Sequence, residues 1–259
     1  MSAQLAGRVA LVTGGSRNIG RATALELAAM GARVALTYQA DENGAAKTVA
    51  LIEAAGGVAC SYQATLQDER VPEGLVETVG AELGDVDVLV NSAAIRPRQP
   101  LGTVTAAAFD SVFALNVRAG YLLAQAVAPK MVEKGFGRIV FVGGLSSYIG
   151  QSERAAVMAS KLAVVGLARS LAFELAPAGV TVNVVVPGRI DTTRGAVEHY
   201  GPARDREGQA ARTLVGHLGA PEDVSGCIAY LCSAATTYVT GQEFFVSGGA
   251  YPLTQGGVG

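Results

Sequence analysis

The stretch TGGSRNIG, Thr13–Gly20, joins a short run of apolar residues to a segment with helical periodicity. Glycines between a strand and a helix let the backbone come close to a phosphate group, and the first turn of the helix offers unpaired N–H groups to the negative charge. Asn18 stands where a glycine would be expected, but asparagine is among the side chains that best tolerate a positive φ. The stretch therefore predicts a phosphate-binding loop, with a tight turn that binds nothing as the alternative.

Outside this loop, short valine-rich runs alternate with longer segments of helical periodicity along the chain. The runs are apolar at consecutive positions, as expected of strands that are buried on both faces. We predict strands at Arg8–Thr13, Arg33–Tyr38, Val58–Tyr62, Val86–Asn91, Arg138–Val142, Val180–Val186 and Glu243–Val246. The predicted helices include Ile19–Met30, Asn43–Ala55, Phe109–Lys134, Ala155–Ala176 and Pro221–Ser233.

This alternation predicts an α/β fold, a Rossmann-type doubly wound parallel sheet of about seven strands with helices on both faces. We find no internal repeat, low-complexity segment or linker, so residues 1–259 are expected to form a single domain. The longest poorly patterned stretch covers residues 189–219 and is a candidate lid over a binding site.

The composition argues against several classes of protein. The formal net charge is −2 and the pI about 5.8, so nothing favours nucleic acid or an anionic membrane as a partner. The first residues lack the basic start and apolar run of a signal peptide, and no uninterrupted apolar stretch reaches the ~18 residues of a membrane helix. Three cysteines without a CxxC pair favour reduced thiols and a cytoplasmic location. With only two histidines in the chain, a metal site is not expected.

A glycine loop followed by a second strand and helix is typical of dinucleotide-binding folds, and the end of the second strand bears on the choice of cofactor. Folds that prefer NAD(H) place an acidic side chain there to bind the ribose 2′-hydroxyl. This chain has Thr37 and Tyr38 at that point and Arg17 in the glycine loop, whereas Asp41 and Glu42 suit the start of the next helix. A 2′-phosphate would meet a cation and no carboxylate, so we predict NADP(H) in preference to NAD(H).

Four further segments carry a resemblance to a known family: NSAA at Asn91–Ala94, FALNVRAG around Asn116, PGRIDT at Pro187–Thr192 and TGQEFFVSGG at Thr240–Gly249. With TGGSRNIG, they make almost the whole chain similar to the short-chain dehydrogenase/reductase family, and in particular to its ketoacyl reductases. The resemblance implies an oxidoreductase that assembles as a homotetramer through two long central helices. The cofactor-binding residues that it implies are Gly14, Ser16, Arg17, Asn18, Ile19, Gly20, Tyr38, Asn91, Ala93, Lys161, Pro187, Gly188, Ile190 and Thr192.

The resemblance also implies a catalytic tetrad, and two of its members are replaced in this chain. The family's YxxxK motif falls on Val157 to Lys161, so the lysine is kept and the tyrosine is absent, while the companion serine falls on Gly144. Asn116 and Lys161 are the retained members. The tyrosine protonates the carbonyl oxygen as hydride arrives, and general acid catalysis commonly contributes about 10²–10⁴ in rate. We therefore expect ordinary ketone reduction to be severely impaired.

Other side chains are candidates to replace the missing acid. Tyr148 follows Gly144 closely, on a segment that borders the substrate in members of the family, and His199 and Tyr200 lie in the candidate lid. Each tyrosine has the alternative of covering apolar surface with its hydroxyl in water. Lys161 is a further candidate donor, although in the family it holds the nicotinamide ribose.

Three functions remain open on this basis. The first is an oxidoreductase whose substrate needs no strong protein acid, such as an iminium or a quinone. The second is a catalytically silent nucleotide-binding subunit that pairs with an active relative or scaffolds it. The third is a non-redox lyase or isomerase that uses Lys161 as a base or as an imine-forming amine. In the candidate lid, Arg189 and Arg194 either bind an anionic substrate or are solvated.

Overall fold

Seven parallel strands form one sheet in the computed structural model, which describes residues 4–192 and 206–251 of the chain. The strands of this described part are β1 (Val9–Thr13), β2 (Arg33–Tyr38), β3 (Ala59–Gln63), β4 (Val88–Asn91), β5 (Gly137–Val142), β6 (Val180–Pro187) and β7 (Glu243–Val246). Their order is β3-β2-β1-β4-β5-β6-β7. The chain therefore builds outward in one direction from β1 and then in the other from β4, as in a doubly wound fold.

Burial explains why these segments are strands. Every residue of β1, β5 and β6 is buried, so valine runs such as the one in Val180–Pro187 are apolar on both faces of the sheet. All seven predicted strands are present, and their ends lie within two residues of the predicted ends. The prediction of the fold class is confirmed.

Helices cover both faces of the sheet. Those before the fifth strand are α1 (Asn18–Ala29), α2 (Glu42–Ala54), α3 (Val71–Leu83), α4 (Ala106–Phe113) and α5 (Ala119–Glu133). Those after it are α6 (Ser146–Ile149), α7 (Ala155–Leu175), α8 (Arg206–Ala210) and α9 (Pro221–Cys232). Buried side chains of α1, α2 and α9 share one apolar core, and those of α3, α5 and α7 share the other.

The observed helices differ from the predicted ones at two places. Helix α3, with two glycines and a proline in VPEGLVETVGAEL, was not among the predicted helices because these residues have poor helix propensity. The predicted helix Phe109–Lys134 begins earlier, at Ala106, and a π-helical turn at Ala114–Arg118 divides it. A π turn adds one residue to a helical turn, and such turns are frequent at functional sites.

Two helical runs, Ala106–Glu133 and Ala155–Ala178, are long and apolar enough to cross a membrane by length and hydropathy alone. The expectation that no segment has this character was too strict, because it counted only uninterrupted apolar residues. Both runs carry buried side chains, among them Leu123 and Val164, that pack in one core beneath the sheet. This packing is that of core helices in a globular domain.

Candidate active site

A cleft of about 1120 Å³ opens at the carboxyl ends of the central strands. It is bordered by the loops that follow β1, β2, β4, β5 and β6. The position lies above the boundary between β1 and β4, where the strand order reverses, and this is the place where open α/β sheets bind their ligands. Most of the predicted site residues line this one cleft.

The loop Thr13–Gly20 forms one wall and requires its glycines. Gly14 has a φ of +71°, and a Cβ added to it would lie 3.1 Å from Ala93 Cα. A Cβ added to Gly20 would lie 2.1 Å from the Gly14 carbonyl oxygen, so the loop closes onto the first turn of α1 without room for a side chain. Asn18 has a φ of 51°, which confirms that asparagine takes the left-handed conformation in place of glycine.

The start of α1 has the features of an anion site. The side chain of the N-cap residue, Arg17, makes no capping hydrogen bond, and Ser16, Arg17, Asn18 and Ile19 all line the cleft beside this helix. Uncapped N–H groups and the positive end of the helix dipole favour a phosphate at this place.

The segment after β4 is fastened to the glycine loop. The Thr13 hydroxyl oxygen accepts hydrogen bonds from the backbone N–H groups of Ser92 and Ala93, each at 3.0 Å. Ser92, Ala93 and Ala94 consequently line the cleft. Asn91 does not line it: its side chain lies beneath the cleft, next to Gly120 of α5, and its contact with a cofactor stays a prediction. Strand alternation turns its side chain toward the helix layer.

The residues from which the sequence predicts a preference for NADP(H) lie at the end of the cleft beyond β2. Thr37, Tyr38 and Arg17 line it. Asp41 also reaches this wall, but its carboxylate accepts a hydrogen bond from Gly44 N at 3.0 Å and caps helix α2. The expectation that this aspartate begins the next helix is confirmed.

The PGRIDT segment forms the opposite wall. Pro187, Gly188, Ile190 and Thr192 all line the cleft. A Cβ added to Gly188 would lie 2.7 Å from Ser247 Cα, so the segment is pressed against the chain after β7. Ile190 forms a short parallel bridge with Gly219, which joins the two described ends of the candidate lid.

The three positions to which the sequence assigns the altered tetrad line the same cleft. Val157 and Lys161 lie one turn apart on α7, and both line the cleft together with Gly144. The Val157 side chain is 5% exposed and packs with Val112 and Ile95. Neither Val157 nor Gly144 carries a group that donates a proton or a hydrogen bond from its side chain.

Lys161 is held at the inner end of this region. Its side chain is buried, and Nζ donates a hydrogen bond to the Val142 carbonyl oxygen at 2.6 Å. Burial, and then the nearby positive charge of Arg96, lowers the pKa of Lys161 to about 7. A substantial fraction of this amine is therefore neutral near physiological pH.

Asn116 lies in the π turn, behind the cleft wall. Its Oδ1 accepts a hydrogen bond from Ile95 N at 3.0 Å, and its Nδ2 donates to the Ile95 carbonyl oxygen at 3.1 Å. Nδ2 also donates to the hydroxyl of Ser160, the residue before Lys161, at 3.0 Å. Asn116 borders a small inner cavity that Lys161 shares, and it does not line the main cleft. It therefore ties the loop after β4 to helix α7.

The Tyr148 side chain is not positioned to act as a replacement acid. Its hydroxyl donates to Glu243 at the start of β7, and its ring packs against Phe245 and Tyr251. Burial, followed by the bond to Glu243, raises the pKa of its phenol above the usual range. The side chain lies outside the lining of the cleft because the short helix α6 directs it toward the sheet edge. His199, Tyr200 and Arg194 lie outside the described residues.

Sequence reasoning missed several arginines of the cleft. Arg96, Arg98, Arg154 and Arg212 line it in addition to the expected Arg189. The first three lie in the loops around the cleft mouth, where the Arg154 guanidinium donates to the Arg96 carbonyl oxygen and Arg98 pairs with Glu153. Nothing in the order of the residues signals this grouping, because it depends on how separate loops fold over the sheet.

Comparisons with known proteins agree with this geometry. The profile of the family described as Enoyl-(Acyl carrier protein) reductase matches residues 14–251. The chain is 36% identical over 247 residues to a 3-oxoacyl-[acyl-carrier-protein] reductase of Escherichia coli K12, covering 95% of this chain and 98% of the relative. It is 36% identical over 248 residues to an L-rhamnose 1-dehydrogenase (NAD(P)(+)) of Sphingomonas sp. SKA58, covering 95% and 97%.

A solved structure shows the same likeness in three dimensions. A blue fluorescent protein from a metagenomic library, crystallised in complex with NADPH, superposes with a TM-score of 0.88 at 37% identity. The match covers 96% of this chain and 99% of that one.

Proposed function

Because the chain belongs to the short-chain dehydrogenase/reductase family, we propose that it is an NADP(H)-dependent oxidoreductase whose substrate needs no strong proton donor from the protein. One observation carries this proposal. The cofactor half of the cleft keeps its glycine loop, while Val157 and Gly144 stand beside Lys161 where the family has its tyrosine and serine.

The residues present fit an NADP(H) molecule. The uncapped start of α1 and the side-chain-free surface at Gly14 suit a pyrophosphate. Arg17 offers a cation to a 2′-phosphate, and the nearest carboxylate of that wall, Asp41, is engaged in capping α2. The walls formed by Ala93 and by Pro187–Thr192 would hold the nicotinamide end.

When bound, the reduced nicotinamide supplies a hydride. The protein then has to stabilise the charge that develops on the acceptor, and the groups available for this are few. Lys161 is the ionisable residue of α7 that lines the cleft, but its Nζ is directed toward the Val142 carbonyl oxygen. An acceptor that already carries positive charge, or whose reduced form is a stabilised anion, reacts without a donated proton. An iminium and a quinone are the two acceptor classes that meet this condition.

A second candidate function rests on Lys161 itself. A buried lysine whose pKa is lowered to about 7 has the property required of a general base or an imine-forming amine. This favours a lyase or isomerase as the alternative, because such chemistry needs the amine and not the hydride. A silent nucleotide-binding subunit is the third candidate, and it requires only the cofactor half of the cleft.

We propose that the chain acts in the cytoplasm as a homotetramer, as the family resemblance implies. The long helices α5 and α7 carry exposed aromatic side chains, Tyr121 at 42% and Phe173 at 89%, that self-association would cover. A hetero-oligomer with an active relative is the alternative that accompanies the silent-subunit hypothesis. Mass measurement of the purified protein by light scattering, with Phe173→Asp as the variant, tests the assembly.

Steady-state oxidation of NADPH by the wild type separates the three functions. The acceptors are a simple ketone, a cyclic iminium and a benzoquinone, each assayed at saturating NADPH. Turnover of the iminium or the quinone with very slow turnover of the ketone supports the oxidoreductase. NADPH binding without turnover of any acceptor favours the silent subunit. Inactivation by borohydride in the presence of a carbonyl compound, lost in Lys161→Met, favours imine chemistry.

A further inference from the structure

The lining of the cleft carries an excess of positive charge. Seven basic side chains are among its described residues: Arg17, Arg96, Arg98, Arg154, Lys161, Arg189 and Arg212. The described lining contains one carboxylate, that of Asp41, and it is already engaged as a helix cap. Cations that share a cleft with low-dielectric walls add their potentials and attract anions.

Two of these arginines, Arg189 and Arg212, line the cleft from separate segments. The pKa of Arg189 is lowered first by its burial and then by the positive charge of Arg212. Arg189 is half-buried, and its Nε is buried with no hydrogen-bond partner in the described part of the chain. Holding two guanidinium groups in one cleft while leaving a buried donor unpaired costs free energy unless a ligand compensates it.

Both arginines stand on backbone that is held in place. The Arg189 carbonyl oxygen accepts a hydrogen bond from Gly219 N at 3.0 Å, and the preceding Gly188 N donates to Val246 O at 2.9 Å. On the other side, the Thr213 hydroxyl bonds the carbonyl oxygens of Ala210 and His217, at 2.8 and 3.0 Å. The two side chains are thus presented from anchored segments, and a site on anchored backbone loses little entropy when a ligand binds.

We propose that Arg189 and Arg212 form a carboxylate-binding subsite that selects an anionic substrate. This inference rests on the proposed oxidoreductase function and names its substrate class. Guanidinium groups bind planar carboxylates through paired, charge-assisted hydrogen bonds, and two of them satisfy the donors that the protein leaves unused. The substrate is then an electrophilic acceptor, such as a quinone, that carries a carboxylate.

The positive charge of the cleft also distinguishes between an iminium and a quinone as the acceptor. A cationic iminium entering beside Lys161, whose charged form the positive charge of Arg96 already disfavours, would be repelled. An acceptor that becomes an anion on reduction would be stabilised by these cations and would not need a hydroxyl donor. The positive cleft therefore favours the quinone class over the iminium class.

Calorimetric titration with two simple probes tests the subsite without any turnover. Benzoate and benzamide have nearly the same shape and differ in charge, and each is titrated into the protein saturated with NADP⁺. We expect benzoate to bind and benzamide to bind at least about tenfold more weakly. Arg189→Gln and Arg212→Gln should each weaken benzoate by about 10- to 100-fold. The control is Arg70→Gln, which removes an exposed arginine that pairs with Asp68 outside the cleft.

Several outcomes would overturn the proposal. Equal binding of benzoate and benzamide, or unchanged benzoate affinity in both cleft variants, would show that the arginines do not form an anion subsite. A loss of NADP⁺ affinity in Arg212→Gln with benzoate selectivity intact would assign the pair to the cofactor phosphates. If NADP⁺ fails to bind the wild type, the proposed function fails, and titration of benzoate into the protein without nucleotide still decides whether the subsite exists.

Discussion

Gly144 and Lys161 face each other across the reactive end of the cleft: a Cβ built on Gly144 lies 3.7 Å from Lys161 Cγ, an ordinary van der Waals distance. The backbone of Gly144 does not have a positive φ. A side chain at this position is therefore accommodated, and glycine is not required by the fold. The backbone therefore does not account for the absence of a hydroxyl at position 144.

The glycine loop should be intolerant of a side chain. We expect Gly14→Val to lose measurable NADPH binding, because the added atoms push against Ala93 and occupy space next to the phosphate-binding turn. A positive φ also costs a β-branched residue about 1–2 kcal/mol of stability. Gly56→Val is the matched control, since Gly56 has a φ of +81° and no heavy atom within 4 Å of an added Cβ. Equal NADPH affinity in both variants would refute the placement of the loop.

Arg17 should determine the preference for NADP(H). Replacing it with glutamine removes the cation from the wall formed by Thr37 and Tyr38. We expect the Kd of NADPH to rise about tenfold or more while the Kd of NADH stays unchanged, because only NADPH carries a 2′-phosphate. Fluorescence titration of both nucleotides measures this. Tighter binding of NADH than of NADPH by the wild type would contradict the predicted preference.

The strands and the glycine loop could be predicted from the sequence because their signals are local. The valine runs mark strands that are buried on both faces, and Thr13–Gly20 marks its own turn through the conformations that its residues allow. Asn18 could be placed at a positive φ for the same reason. Local backbone preference was sufficient in each case.

Other features depend on contacts between distant segments. The π turn around Asn116 lies within a long apolar run, so the sequence pattern predicted one continuous helix. Tyr148 is close to the site in the chain, but the hydrogen bond to Glu243 determines where its side chain points. Arg189 and Arg212 line one cleft from segments that are separate in the chain, and no spacing rule predicts this.

Tyr148→Phe tests whether the Tyr148 hydroxyl lies outside the cleft and takes no part in turnover. The lost hydroxyl leaves a partly buried carboxylate of Glu243 with one partner fewer, so we expect a decrease of about 1–3 kcal/mol in the free energy of unfolding. Redox turnover per folded molecule should stay unchanged, because the hydroxyl does not line the cleft. Urea denaturation and steady-state assays measure the two effects. A large loss of turnover would show that Tyr148 does serve as the acid.

Lys161 should make stability depend on pH. Its pKa falls from the usual 10.5 to about 7 in the folded chain. Between these values the unfolded chain binds a proton that the folded chain lacks, so the free energy of unfolding rises with pH. Relative to Lys161→Met, the wild type should gain up to about 1.4 kcal/mol per pH unit between pH ~7 and ~10. Urea denaturation across this range measures the slope.

The exposed Lys47 supplies the control for that experiment. Lys47→Met makes the same chemical change at a solvated position, so its unfolding free energy should run parallel to that of the wild type. Parallel curves for Lys161→Met as well would mean that the amine keeps an ordinary pKa, and they would also remove the support for imine chemistry.

The most direct measurement is the reduction of a simple ketone by four proteins: the wild type, Val157→Tyr, Gly144→Ser and the double variant, all with Asn116 and Lys161 retained. Val157 faces the cleft one turn from Lys161, and Gly144 has room for a side chain. We predict very slow turnover by the wild type and an increase of at least about 10²-fold in the double variant, with each single change giving much less, because residues that act as a unit are not additive. Ketone turnover by the wild type as fast as that of the double variant would contradict the claim that the site lacks its proton donor.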